Sequence, residues 1–178
     1  MSGPGRSLIV GRTSAASDSG DGDMFAKRND RWLTPLPLIH ALGEFDLDPC
    51  GAPGHPTAKE VWTPEEFGDG LSMPWSGRVW LNPPYGRTME DWMRALAEHG
   101  HGTALIFART ETKLFHELVW PLASGILFLR GRVTFLDLDG DPASASSGAP
   151  SCLISYGGDD ATLLASSGIT GQFVPLQA

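Results

Sequence analysis

The chain has 178 residues, 41% hydrophobic and 19% charged, which is typical of a globular protein with one ordinary core. Its net charge of −8 argues against indiscriminate nucleic-acid binding, and no apolar run reaches the roughly 18 residues of a membrane span. Two cysteines, Cys50 and Cys152, are too few for a disulfide framework, so we expect reduced thiols and a cytoplasmic protein.

The beginning of the chain differs in composition from the rest. Residues 1–23 are rich in Gly, Ser and Asp and lack hydrophobic periodicity, so we expect a disordered N-terminal arm and no signal peptide. Residues 24–178 are predicted to form a single domain. Within it, residues 24–132 carry 11 basic and 13 acidic side chains, so this part is nearly neutral and has room for a local basic face.

Short elements are predicted in the first half of the domain. The stretch TPLPLIHAL, residues 34–42, predicts a helix with Thr34 as its N-cap and a proline at its first helical position. EFDLD, residues 44–48, predicts a strand. The following DPCGAPGHP, residues 48–56, predicts a loop, because its prolines and glycines exclude regular structure. A second strand is predicted at residues 79–81.

Longer elements follow. Residues 88–100, TMEDWMRALAEHG, predict a helix, because apolar side chains recur at i, i+3, i+4, i+7 and i+8. TALIFA, residues 103–108, predicts a strand buried on both faces, and a second helix is predicted at about 112–122. Residues 125–138 and 151–156 are strand-like. This alternation predicts an α/β fold with a largely parallel sheet and an antiparallel portion near the C-terminus.

The ends of the first two predicted strands carry unusual residues. They are Asp48, Pro49, Cys50 and Gly51 after the first strand, and Asn82, Pro83, Pro84 and Tyr85 after the second. Ligands of open α/β sheets gather at the carboxyl ends of strands, where an acid can hold an amine or a ribose hydroxyl and a glycine lets the backbone approach. An ordinary Asx-type turn is the alternative interpretation of the first group.

The NPPY tetrapeptide suggests a more specific chemistry. Each proline locks its own φ and holds the preceding residue extended, so the Asn82 amide oxygen and the Pro83 carbonyl can point the same way. Two convergent acceptors beside the flat ring of Tyr85 suit a planar group that bears an NH₂. By pulling both N–H bonds out of plane they would localise the nitrogen lone pair for in-line attack on a methyl sulfonium. A rigid turn closed by a packed tyrosine is the alternative.

These residues carry a family resemblance. NPPY after an apolar strand resembles the catalytic motif of amino-group methyltransferases that use S-adenosylmethionine. The chain also resembles, from about Asp30 to Tyr156, the small bacteriophage DNA N6-adenine methyltransferase family of Dam type, in the blocks DRWLTPLPLIHALGEFDLDPCG, FGDGLSMPWSGRVWLNPPYG, IFARTETKLFHELVW and FLRGRVTF. The resemblance implies a Rossmann-like methyltransferase fold, S-adenosylmethionine as donor and adenine in DNA as acceptor.

The resemblance also implies roles for individual residues. The donor would contact Thr34, Pro35, Asp48, Pro49, Cys50, Gly51, Asp69 and Asn82. Catalysis would rest on Asn82, Pro83, Pro84 and Tyr85, with Tyr85 stacking on an adenine flipped out of the duplex. Because only 21 positions separate Asp48 from Asp69, we expect an abbreviated mixed sheet. The acid that would hold the donor's ribose is not identified, and Glu60 and Glu65 are the candidates.

Basic residues near the predicted strand ends are candidates for DNA contacts. We predict phosphate contacts for Arg109, Lys113 and Arg132; a solvated charge or a local ion pair is the alternative for Lys113, Arg130 and Arg132. The five histidines show no metal-ligand spacing, so no metal is predicted.

The predicted function is transfer of a methyl group from S-adenosylmethionine to adenine N6 in DNA, in a bacterial cytoplasm if the gene is phage-borne. Cytosine N4 or a protein glutamine amide would satisfy the same acceptors, and a non-catalytic module that binds donor or DNA is a further alternative.

Overall fold

A computed structural model describes residues 32–138, 140–142 and 148–176. The predicted arm, residues 1–23, lies outside the described residues, and the single domain remains a prediction. Seven strands form one sheet in the order β2-β1-β3-β4-β6-β5-β7. They are β1 (Leu47–Asp48), β2 (Glu60–Val61), β3 (Val79–Leu81), β4 (Gly102–Phe107), β5 (Gly125–Leu129), β6 (Ser151–Tyr156) and β7 (Gly171–Pro175).

The sheet is parallel on one side and antiparallel on the other. β1 pairs in parallel with β2 and β3, and β3 pairs in parallel with β4. β6 is antiparallel to β4 and to β5, and β7 is antiparallel to β5. The predicted α/β class and mixed sheet are therefore confirmed. Because β5 again points the same way as β4, the carboxyl ends of β1 to β5 share one edge of the sheet, here called the carboxyl edge; the opposite one is the amino edge.

Short helices cover both faces of the sheet. They are α1 (Leu36–His40), α2 (Pro64–Phe67), α3 (Met89–His99), α4 (Gly158–Ser166), a 3₁₀ turn (Gly70–Ser72) and a π-helical turn (Phe115–Val119). α3 and the π-helical turn share one buried cluster with Val79 and Leu81, whereas α1 and α4 share the other with Trp80. These three strand side chains are at most 1% exposed, as expected for a central strand covered on both faces.

The first helix begins later than predicted, and its predicted cap was wrong. The N-cap is Pro35, whose carbonyl accepts from the Leu38 N–H at 3.0 Å. Thr34 lies before the helix, and its buried Oγ1 has no hydrogen-bond partner among the described residues. Thr34 is thereby left to line a cleft instead of capping a helix.

Three other predicted elements were too long, and five were missed: β2, α2, the 3₁₀ turn, α4 and β7. The strand expected at 44–48 spans only Leu47–Asp48, and the helix expected at 112–122 is mainly the π-helical turn. The strand-like run 125–138 leaves the sheet after β5, because Gly131 turns the chain with φ +89°. The sequence interpretation contained no element after residue 156, where α4 and β7 lie.

A buried ion pair joins the amino edge of the sheet to α4. Arg78 directly precedes β3, and its Nε donates to Asp160 Oδ1 at 2.6 Å. Its Nη1 donates to the carbonyl oxygens of Leu42 and Glu44 at 2.8 and 3.0 Å. Asp160 is fully buried, and its second oxygen is 2.7 Å from His101 Nδ1. One carboxylate thus ties α4 to β3, and Arg78 extends the connection to the segment after α1.

Replacement of Asp160 by alanine should destabilise the fold strongly, because the Arg78 guanidinium would stay buried without a counter-charge. We expect the free energy of unfolding, measured by urea denaturation, to fall by about 3–5 kcal/mol. Asp159 is the matched control, since it shares the first turn of α4 but is exposed. Asp159→Ala should cost less than about 1 kcal/mol. Equal losses in the two variants would contradict this role for the pair.

Candidate active site

A cleft of about 450 Å³ opens at the carboxyl edge of the sheet. Its walls come from the segment before α1, the loop after β1, the region around the 3₁₀ turn and the turn after β3. The cleft brings together ten of the predicted site residues: Thr34, Asp48, Pro49, Cys50, Gly51, Asp69, Asn82, Pro83, Pro84 and Tyr85. Pro35 does not line this cleft and contributes to a neighbouring groove. The predicted donor and acceptor residues therefore share one space.

The Asn82 side chain is held in one orientation. Its Nδ2 donates to the backbone carbonyl of Trp32 at 2.8 Å. Its Oδ1 is buried and accepts no hydrogen bond from the described residues. A carbonyl oxygen can only accept a hydrogen bond, so the Asn82 NH₂ must face the Trp32 carbonyl. The Asn82 Oδ1 then points away from Trp32. The Trp32 contact was not predicted, because the two residues are far apart in the sequence.

The Tyr85 ring packs against a second aromatic side chain. Its centroid lies 4.4 Å from that of Phe107, at an interplanar angle of 27°. Burial raises the pKa of the Tyr85 phenol, so the group is neutral at physiological pH. The guanidinium carbon of Arg109 lies 5.9 Å from the Phe107 centroid. Phe107, the last residue of β4, was missed in the sequence, although its place at a strand end beside Asn82 was a signal for it.

Asp48 is a buried carboxyl group with few hydrogen-bond donors around it. It is 3% exposed and accepts from Thr57 Oγ1 at 2.5 Å and from the Cys50 N–H at 3.2 Å. Burial raises its pKa to about 6, and these two hydrogen bonds offset part of that increase. His55 also lines the cleft, and its Nε2 donates to the Thr34 carbonyl at 2.9 Å. Neither Thr57 nor His55 was predicted.

A close backbone approach joins the DPCG loop to the FGDGL segment. A Cβ on Gly70 would lie 2.1 Å from the Pro49 carbonyl oxygen, so only glycine fits there. Asp69 Oδ1 accepts from the Leu71 N–H at 3.0 Å and caps the 3₁₀ turn. Neither ribose candidate lines the cleft: the Glu60 carboxylate accepts from Trp62 Nε1 at 2.6 Å, and Glu65 borders a separate pocket.

The three predicted DNA-contacting residues lie outside the cleft. Arg109 approaches Phe107, which packs on Tyr85 of the NPPY turn. Lys113 Nζ lies 3.3 Å from Glu90 and 3.5 Å from Glu117, so the structure favours the local ion pair that the sequence left open. Arg132 lines the groove beside Pro35.

Two further properties concern only the part of the chain that the structure describes. It contains no group of three or more His, Cys, Asp or Glu that could hold a metal ion. None of its helices is long and apolar enough to cross a membrane.

Comparison with known families identifies the reaction. A family model described as DNA N-6-adenine-methyltransferase (Dam) matches residues 22–157, which is most of the chain. The chain belongs to the Dam family. It is a DNA N6-adenine methyltransferase, and the family implies S-adenosylmethionine as its methyl donor. Comparisons with curated proteins and with solved structures each gave no match.

The buried Asp48 should oppose folding of this methyltransferase as the pH rises. Its ordinary pKa is 3.8 and its pKa in the folded chain is about 6, so the folded state keeps the proton longer than the unfolded state. In the absence of the methyl donor, protonated Asp48 makes its full contribution to folding stability below pH 3.8. That contribution is lost as the pH rises through about 6. Relative to the wild type, Asp48→Asn should therefore gain about 3 kcal/mol of unfolding free energy between pH 3 and 7.

The control for this measurement is Asp46→Asn. The Arg78 backbone N–H and then Lys59 lower the pKa of Asp46, so its stabilisation is present above pH 3.8 and is lost as the pH falls. The unfolding free energy of Asp46→Asn should therefore fall relative to the wild type as the pH rises, whereas that of Asp48→Asn should increase. Parallel curves for all three proteins in urea denaturation would argue against a raised pKa at Asp48.

Proposed function

We propose that the cleft binds S-adenosylmethionine beside Asn82, and that Asn82 and Pro83 hold the amine of a flipped adenine in line with the donor. The observation that carries this proposal is the buried Asn82 Oδ1, which has no hydrogen-bond partner among the described residues while Trp32 holds its Nδ2. A buried acceptor without a donor is costly, by about 1–3 kcal/mol. An N–H from the adenine amine would remove that cost.

Several features of the cleft fit the donor. Its volume, about 450 Å³, lies within the usual range for small-molecule sites, roughly 300–1,000 Å³. The Thr34 Oγ1 is buried without a partner in the described chain and is available to a polar ligand. Asp48 can ionise and hold the donor's ammonium, with Pro49 to Gly51 supplying backbone. Asp69 would lie near the donor's adenine, and Pro35 would support the Thr34 segment.

The proteins of this family need an activated amine, because the adenine N6 lone pair is delocalised into the ring. The bound donor supplies a methyl group on an electrophilic sulfonium. Asn82 Oδ1 and the Pro83 carbonyl accept the two N–H hydrogens, localise the lone pair and aim it at that methyl group. Pro84 keeps Pro83 extended, so the two acceptors need no reorganisation during the reaction. The N6–CH₃ bond would form as the S–CH₃ bond breaks, and the donor would leave as a neutral thioether. The methylated amine would then lose one proton to solvent, so no residue has to act as a strong base before the attack.

Tyr85 would hold the flipped adenine by stacking. Because Phe107 covers one face of the Tyr85 ring, only the other face can receive a base. Phe107 would then act as a positioning residue that keeps the ring at a fixed angle.

The surroundings of the reaction are part of the proposal. Arg109 and Arg132 remain candidates for phosphate contacts. Lys113 is a poorer candidate, because Glu90 and Glu117 already lie within ion-pair distance of its Nζ. Cys50 and Cys152 are free thiols, which supports a reducing cytoplasm. The bacteriophage origin rests on the sequence resemblance alone.

Removal of the Asn82 amide should abolish methyl transfer without abolishing donor binding. The assay uses isotopically labelled S-adenosylmethionine and unmethylated genomic DNA, followed by digestion to nucleosides and mass spectrometry. We expect labelled N6-methyladenine from the wild type and a rate at least about 100-fold lower from Asn82→Ala. Donor affinity, measured by calorimetry, should change much less. Undiminished transfer by this variant would refute the proposed role.

A second variant tests the orienting contact itself. Asn82→Asp replaces the NH₂ that Trp32 requires by an oxygen, so an anionic oxygen would face the Trp32 carbonyl. We expect the carboxylate to move away and the rate of methyl transfer to fall about tenfold or more. Wild-type rates for Asn82→Asp would show that the Trp32 contact does not position the acceptor.

A further inference from the structure

Seven of the eight Lys and Arg side chains in the described part of the chain, all but Arg132, fall into two groups. In the first group each cation lies within ion-pair distance of a carboxylate: Lys59 with Glu44 and Asp46, Arg78 with Asp160, Arg94 with Glu90, and Lys113 with Glu90 and Glu117. Their charge is largely neutralised within the protein. These residues are therefore poor candidates for binding a polyanion.

The second group consists of Arg87, Arg109 and Arg130. All three are exposed, and none is within ion-pair distance of a carboxylate in the described residues. Their only shared feature in the sequence is position: each follows the carboxyl end of a strand, namely β3, β4 and β5. Because these strands point the same way, the three arginines lie along the carboxyl edge, where the cleft opens.

Contacts with the cleft region support this placement. Arg109 reaches Phe107, which packs on Tyr85. Arg130 borders the groove that includes Pro35, the neighbour of the cleft residue Thr34. Arg87 follows the NPPY turn directly. The three arginines therefore follow or contact segments that border the cleft or the groove of Pro35.

Exposed acids lie at both edges of the sheet. Glu44 precedes β1 and Asp159 follows β6, which puts both at the amino edge, whereas Asp69 lines the cleft and Glu111 follows β4 at the carboxyl edge; all four are exposed. A chain of net charge −8 therefore attracts a duplex to the carboxyl edge only through cations that no nearby carboxylate neutralises. The unpaired arginines provide the local attraction that the overall charge does not.

We propose that Arg87, Arg109 and Arg130 form an arginine rim that binds the phosphates of duplex DNA around the cleft entrance. Guanidinium groups suit this role, since they bind phosphate oxygens in a bidentate manner and stay charged. Contacts of this kind fix position and carry no base information, so the rim holds the backbone while an adenine enters the cleft. The inference rests on the proposed function in that both concern the same DNA substrate.

The test is the salt dependence of DNA binding by the full chain. Fluorescence anisotropy with a labelled duplex gives the association constant across a series of salt concentrations, for the wild type, Arg87→Gln and Arg130→Gln. Each substitution should weaken binding and flatten the plot of log K against log salt by about 0.9 per lost contact. The double variant should show about twice that change. Lys59→Gln is the matched control, because it removes the same charge at the amino edge.

The outcomes separate this inference from the reaction mechanism. Flattened slopes for both arginine variants, with wild-type behaviour for Lys59→Gln, support the rim. An equal effect of all three substitutions would mean that net charge alone is responsible, and unchanged slopes would exclude the contacts; either result overturns the rim. Arginine-dependent binding by a protein that makes no N6-methyladenine would uphold the rim and refute the proposed function.

Discussion

The buried ion pair between Arg78 and Asp160 is the contact on which the placement of the active site depends. β1 and β3 contribute only two and three residues to the sheet, so their ladders alone offer few hydrogen bonds. The Arg78 carbonyl also accepts from the N–H groups of Asp46 and Leu47, and its N–H donates to the Asp46 carboxylate. With the start of β3 held by both the side chain and the backbone of Arg78, its other end can present Asn82 without a long strand.

The cleft contains polar groups that the protein itself leaves unsatisfied. Asn82 Oδ1 and Thr34 Oγ1 are buried without partners in the described chain, and Asp48 is kept from ionising until about pH 6. Each of these groups reduces stability in the empty cleft, since a buried polar group is costly when it lacks a partner. A ligand that supplies donors and a positive charge would convert these local losses into binding free energy. These three groups lie at the carboxyl edge, whereas the Arg78–Asp160 ion pair, whose Arg78 Nη2 is also buried without a partner among the described residues, lies at the amino edge.

An acidic protein that acts on DNA poses an electrostatic problem, which three arginines without a carboxylate partner among the described residues address at the carboxyl edge. Lys59 and Arg78 at the amino edge and Arg94 on α3 each pair with a carboxylate. These cations therefore add little to the electrostatic potential outside the protein. The unpaired arginines stand where three parallel strands end. Local charge, and not the total of −8, then governs how a polyanion meets the cleft. Repulsion from the remainder of the surface would disfavour unproductive orientations.

Local patterns in the sequence determined part of this protein. The 3.6-residue period of α3, the apolar runs of β3, β4 and β6, and the proline-stiffened NPPY turn are local signals, and the structure agrees with them. Only the tertiary structure decided that Trp32 orients Asn82, that Phe107 supports Tyr85 and that Glu90 neutralises Lys113. The weak two-residue strands, the late start of α1 and the π-helical turn likewise depend on packing. The physical reason is that periodicity and backbone restriction act between near neighbours, whereas pairing, desolvation and orientation depend on residues that only folding brings together.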